Sequence, residues 1–295
     1  MGATPRKTTT SRALIVAVTL AAAELCAGVP AKAAIRVANV TTSPALIPSF
    51  INESSYHEST TGTAESILDK EAYAYYTAGQ VLHFGYHGVG TASADFLKLG
   101  ASSHVILNNY SSLQYGSNTL LLSQAQVADD ITVPGSGPGF FQLHFHLSGS
   151  ASSSNADVIE GGVIFSSSID SQAGLSVNSF ASGFLPTGDL QTALVPITFG
   201  VPFHIDAFLQ TSVVTGSSAE DVGPIDAGIF FGNTAAITGV DVFDADGIRL
   251  TSFTILSDSG TDYANIPVPE PGTTALAALS CVALFVLRRV RGGAS

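Results

Sequence analysis

The side chains of this 295-residue chain best suited to chemistry are His144 and His146, one residue apart in "FFQLHFHLSG". In a strand both imidazoles leave the same face about 7 Å apart, two residue rises. Metal sites in β-sandwiches use such a pair when a third ligand and a carboxylate join it. On a polar strand face histidines more often sit at the surface or hydrogen-bond across strands, and that is the reading adopted. His83 and His87 lie four apart, a metal spacing on a helix only, and "HFGYHGVG" alternates too cleanly for a helix.

Asp241, Asp244, Asp246 and Gly247 suggest a calcium loop. The EF-hand pattern wants ligands at positions 1, 3 and 5, Gly at 6 and Glu at 12. With Gly247 at the sixth position, Val242 and Phe253 fall where the first and last ligands belong. A hairpin turn is expected instead, with a looser surface Ca2+ site as the alternative. Asp129-Asp130 and Glu220-Asp221 read as acidic loop pairs of the same kind. No nucleophile elbow, P-loop or G-x-G-x-x-G is present. No catalytic residue, resident metal or other cofactor is therefore assigned, and the chain is expected not to be an enzyme.

The elements that must position these residues are strands. "FFQLHFHL" alternates, with Phe141, Leu143, Phe145 and Leu147 on one face and Gln142, His144 and His146 on the other. Strand-like runs recur from Val105, in "GGVIFSSSI", in "LVPITFGVPFHIDAFLQTSVV" and in "DAGIFFGNTAAITGVDVFDADGIRLTSFTIL". Asp246-Gly247 between two such runs is the strongest hairpin signal, because that turn needs positive φ. Thr63–Gly79 differs: Thr63 reads as a cap, acids come early and Gly79 as a stop, so it reads as a helix or helical turn, although Tyr73, Tyr75 and Tyr76 also suit a strand. "FLPTGDL" at Phe184–Leu190 reads as a turn. Short strands with turn signals and no βαβ alternation predict an all-β antiparallel sandwich or jelly roll over residues 34–265.

Charge divides the chain. Between Ala34 and Pro271 there are 22 acids and only four bases, Arg36, Lys70, Lys98 and Arg249. Such a body repels nucleic acid and anionic lipid, so no nucleic-acid partner is expected. Both cysteines, Cys26 and Cys281, fall outside it, so no disulfide staples the body.

The ends are basic and greasy. Residues 1–33 carry Arg6, Lys7 and Arg12, then the apolar run Ala13–Ala23, then Ala31-Lys32-Ala33. This is the three-part plan of a secretory signal-peptide helix, with signal peptidase expected to cut between Ala33 and Ala34. At the other end, Pro267, Pro269 and Pro271 make residues 266–272 an extended linker. Thr273 to Leu287 follow without a charge, and Arg288, Arg289 and Arg291 close the 273–295 segment. As a helix those fifteen uncharged residues span roughly 22 Å, short against a hydrocarbon core of about 30 Å. The arginines reach the headgroups by snorkelling. The positive-inside rule keeps both ends cytoplasmic and exports the body.

Pro269-Glu270-Pro271, a short apolar helix and a terminal arginine cluster, in that order, resemble the PEP-CTERM sorting signal of Gram-negative bacteria. The likeness covers about the last thirty residues. "FLPTGDL" lacks the intervening residue of a sortase motif and lies far from the tail, and a GPI signal ends without a basic cluster. The resemblance implies a precursor tethered in the inner membrane by its C-terminal transmembrane helix and cut near Pro269–Pro271 by the membrane protease-transpeptidase exosortase. It also implies release to the cell surface or extracellular matrix, often alongside exopolysaccharide. The expected role is structural or adhesive. The alternative is a secreted polysaccharide-binding module or polysaccharide-active enzyme.

Overall fold

The structure is a computed structural model and describes residues 33–43, 51–60, 63–77, 81–108, 119–154, 159–170, 172–179, 187–215 and 224–266. The residues through Lys32 expected to form a signal peptide, the Pro269–Pro271 stretch expected to be a sorting motif, the apolar run after it and Arg288, Arg289 and Arg291 lie outside them, as do Glu220 and Asp221. Among the described residues there is no α-helix, hence none long and apolar enough to cross a membrane. A 3-10 turn covers Tyr263–Asn265.

In chain order the strands are β1 (Ala34–Ser43), β2 (Ile51–Ser59), β3 (Ala64–Thr77), β4 (Val81–Asp95), β5 (Lys98–Asn108), β6 (Thr119–Thr132), β7 (Gly137–Leu147), β8 (Ser150–Ser153), β9 (Ile159–Ile169), β10 (Gln172–Ser179), β11 (Gly188–Gln191), β12 (Val195–Phe199), β13 (Phe203–Thr215), β14 (Ile225–Phe243) and β15 (Leu256–Ser257). They form two antiparallel sheets. The first runs β10-β9-β13-β6-β1-β2, with β15 on β6. The second runs β11-β7-β14-β5-β4-β3, with β12 on β7 and β8 on β14.

Alternation makes the two sheets pack face to face. On β7, Phe141, Leu143, Phe145 and Leu147 are all but fully buried, while His144 and His146 point outward. Phe141 meets Phe203 of β13 edge-on with ring centres 5.0 Å apart, and Phe145 meets Phe165 of β9 in the same way at 5.0 Å. Both pairs join one sheet to the other, and edge-to-face geometry adds to the area they bury. The arrangement is all-β and sandwich-like, as alternation predicts.

Two local expectations are corrected. Thr63–Gly79 is not a helix: Ala64–Thr77 is an edge strand paired with β4 along its whole length. Its period of two is hidden because Ser66 points in and Ile67 points out, the reverse of what hydrophobicity suggests. "IRLTSFTI" is not a full return strand: beyond the Asp246-Gly247 turn it makes a single bridge, Arg249 to Phe243, before the chain turns away. The turn itself is as expected, with Gly247 at φ 75°, where a side chain is strained. Within "FLPTGDL", Gly188 opens β11 rather than a turn, and Phe184–Pro186 lie outside the described residues.

The two ends of the folded body meet on β6. Ala34, the first residue of β1, is in register with Ala128. The β6 edge that β1 follows from Ala128 onward is taken just ahead of Ala34 by the C-terminal segment. Leu256 and Ser257 pair with Thr132 and Ile131, and the Asp258 amide donates to the Asp130 carbonyl at 3.0 Å. One edge thus carries two partners in tandem, one from each end of the body.

Candidate functional site

His144 and His146 share the outer face of the second sheet, as their spacing requires, but they do not converge on one point. His144 Nε2 lies 3.1 Å from Asp241 of β14, and His146 Nδ1 lies 2.7 Å from Asp189 of β11. Asp241 also takes an ion pair from Arg249. Three more histidines do the same: His87 with Asp69 at 2.9 Å, His104 with Asp226 at 2.7 Å and His204 with Asp130 at 2.8 Å. These are cross-strand rungs, each joining neighbouring strands on an outer face. Among the described residues no three His, Cys, Asp or Glu side chains are grouped to hold a metal ion.

Asp244 is used up locally. Its Oδ1 accepts the amides of Asp246 at 3.0 Å and Ile248 at 2.8 Å, so the carboxylate shapes the turn. Asp246 lies on the exposed side of that turn.

A set of polar groups withdrawn from water lies elsewhere, between the sheets. Asn39 of β1, fully buried, donates to the Ser66 carbonyl at 2.8 Å and to its hydroxyl at 3.0 Å, while Ser66 donates to Ser55 at 2.7 Å. Ser103 of β5 donates to Ser123 of β6 at 3.2 Å and lies 3.0 Å from the Thr211 hydroxyl of β13. Ser123 in turn donates to the Ser102 carbonyl at 2.7 Å. Gly90 of β4 closes this seam, since a methyl group there would stand 2.9 Å from Ser123 Oγ and 3.1 Å from Asn39 Oδ1. The seam stitches the sheets with hydrogen bonds in place of branched side chains, and Asn39 Oδ1 is left without a partner.

A second buried polar centre holds the C-terminal segment. Asp129-Asp130 is not a loop pair: both residues are in β6, Asp130 outward and Asp129 inward at 1% exposure. The Asp129 carboxylate accepts the Ser259 amide at 3.2 Å, the Ser259 hydroxyl, and the Tyr263 hydroxyl at 3.0 Å. Burial raises the Asp129 pKa above its ordinary value, and the bonds from Ser259 and Tyr263 offset only part of that. Burial, reinforced by the Asp129 charge, likewise pushes the Tyr263 phenol up, so it stays a donor. On the outer face of β13, burial also raises the Asp206 carboxyl against the opposing pull of Gln126, His204 and Arg36. A small cavity beside the Asp129 position is lined by Val127, Leu143, Ile205, Ala207 and Ile237.

The seam and the Asp129 centre carry no motif that spacing could reveal. Their one sequence signal is Ser, Thr, Asn or Asp at an inward position of an otherwise apolar strand, such as Ser123 between Leu121 and Ala125. No protein-family model matches the chain, and no curated protein matches it in sequence.

Proposed function

We propose that this chain is an exported protein whose two ends are delivery signals and whose body serves a structural or adhesive role at the cell surface or in the extracellular matrix. In this reading signal peptidase removes residues 1–33. The helix from Thr273 to Leu287 tethers the precursor in the inner membrane, and exosortase cuts near Pro269-Glu270-Pro271. Both terminal helices, and the finer assignment of the two sheets to a jelly roll, belong to the same proposal. The observation that carries it is the order of charge and apolarity at the two ends: bases before the first greasy run and after the last, with an acidic body between them.

The fold supports this reading in two ways. Strand β1 begins at Ala34, the residue expected to follow the signal-peptidase cut. Ala34 and Tyr263 both lie against β6 at Ala128 and Asp129, so a body held by its ends at one membrane has both on hand at the same place. A non-catalytic role fits the spread of His87, His104, His144, His146 and His204, each engaged by its own aspartate on one or other outer face.

A reporter that fluoresces only in the cytosol, fused after Ser295, tests the orientation, together with surface labelling of the body in the same cells. Expected are a fluorescent membrane-bound precursor and label on the body. A dark fusion, or a body protected from label in intact cells, overturns the proposal.

A further inference from the structure

We propose that residues Leu256–Tyr263 are a latch that seats on β6 only when the body is folded, and thereby sets how much free chain stands before the sorting motif. Its regulatory meaning rests on the sorting reading given above, whereas the latch itself stands on the described residues alone.

The seat is built by the fold. Leu256 and Ser257 extend the β6 ladder at Thr132 and Ile131, and the Asp258 amide continues it to the Asp130 carbonyl. The Ser259 amide and hydroxyl then close on the Asp129 carboxylate. Ser257 donates to the Thr261 carbonyl at 2.9 Å, which bends the chain back. The Tyr263 ring, at 1% exposure, inserts with its hydroxyl on the same carboxylate. Asp129 faces inward only because β6 pairs with β13 and β1 in this register, so an unfolded or half-folded chain has no seat.

Pro269 stands six Cα steps beyond Tyr263, at most about 20 Å of extended chain. With the latch open and the buried Ile255 released with it, the next backbone hydrogen bond upstream is the Leu250 amide on the Val242 carbonyl. Pro269 is then nineteen Cα steps from Leu250, a reach of up to about 60 Å. A seated latch leaves at most about 20 Å of chain between its last anchor and the motif, and an open one leaves about 60 Å, which gives a membrane-embedded protease more room to reach it.

Tyr263→Phe tests this in the full-length membrane-bound precursor, because it keeps the ring and removes only the hydroxyl, with its bond to the Asp129 carboxylate and its long contact with the Phe96 carbonyl. Asp129→Asn is the second variant. The first readout is limited proteolysis by a general protease between residues 244 and 266, which follows the open population when cleavage is slow. Losing one bond to a charged acceptor raises that population about tenfold. The second readout is the rate of cleavage near Pro269 in cells that carry the processing enzyme, expected to rise with the same variants. Unchanged proteolysis in Tyr263→Phe overturns the latch. Faster proteolysis with unchanged processing overturns its gating role. Faster proteolysis with no cleavage near Pro269 in any variant, wild type included, overturns the sorting reading and leaves the latch standing.

Discussion

Gly90→Ala puts a number on the polar seam. Gly90 lies in β4 at a position with ordinary strand geometry, so in open space alanine would stabilise the body by about 0.4–1 kcal/mol through the unfolded chain. The space is not open: the added methyl meets Ser123 Oγ at 2.9 Å, Asn39 Oδ1 at 3.1 Å and Asn39 Cβ at 3.4 Å. None of these is the end of a long flexible side chain. Asn39 is held by two bonds to Ser66, and Ser123 by bonds to Ser102 and Ser103. Overpacking of this kind costs about 1–3 kcal/mol. Set against the unfolded-state gain, a net loss of about 1–2 kcal/mol follows, and a melting temperature lower by roughly 2–8 °C for a body of this size. Urea unfolding of residues 34–266, with slope and midpoint fitted separately, measures it. A double-mutant cycle supplies the control: in a Ser123→Ala background the nearest clash is gone, and Gly90→Ala should cost at least about 0.5 kcal/mol less. Stabilisation by Gly90→Ala, or an equal cost in both backgrounds, would refute the packing argument.

Asp129→Asn should change how stability depends on pH. The wild-type carboxyl titrates near 3.8 when unfolded and higher when folded. Through that window the folded state therefore holds more proton, and stability falls as pH rises. The amide does not titrate, so the stability difference between the proteins should move toward wild type on acidification from pH 7 to pH 4. A difference flat in pH would contradict the burial of Asp129. Phe145→Ala removes a ring packed between the sheets and should cost about 3–5 kcal/mol by urea titration; a loss under 1 kcal/mol would show that the two inner faces are not in contact there. Zn2+ or Ca2+ at millimolar concentration should leave the melting temperature of the body within a degree, and a metal-induced rise abolished by His144→Ala or Asp246→Ala would show a site the geometry does not support.

Legibility followed the chemistry of each position. The face of β7 could be read directly, because large apolar residues alternate with polar ones and the sheet buries one side. The Asp-Gly turn could be read because its backbone demands glycine. β3 could not: Glu65, Lys70 and Glu71 favour a helix locally, and the inward Ser66 is there to reach Asn39 and Ser55, a tertiary need with no local trace. Asp129 looked like one half of an exposed acidic pair, since its partners Ser259 and Tyr263 lie about 130 residues further along the chain. The histidines were placed on the correct face, but the aspartates that engage them come from other strands and are fixed only by register. The delivery signals proposed for the termini rest on charge and apolarity along the chain alone and lie outside the described residues.

Mass mapping of both ends of the mature protein, recovered from the surface or matrix of the cells that make it, tests the central claim most directly. The account predicts an N-terminus at Ala34 and a C-terminus near Pro269, with no peptide from Thr273 onward. A protein that begins at Met1 or retains Arg288–Ser295 in its final location would contradict it.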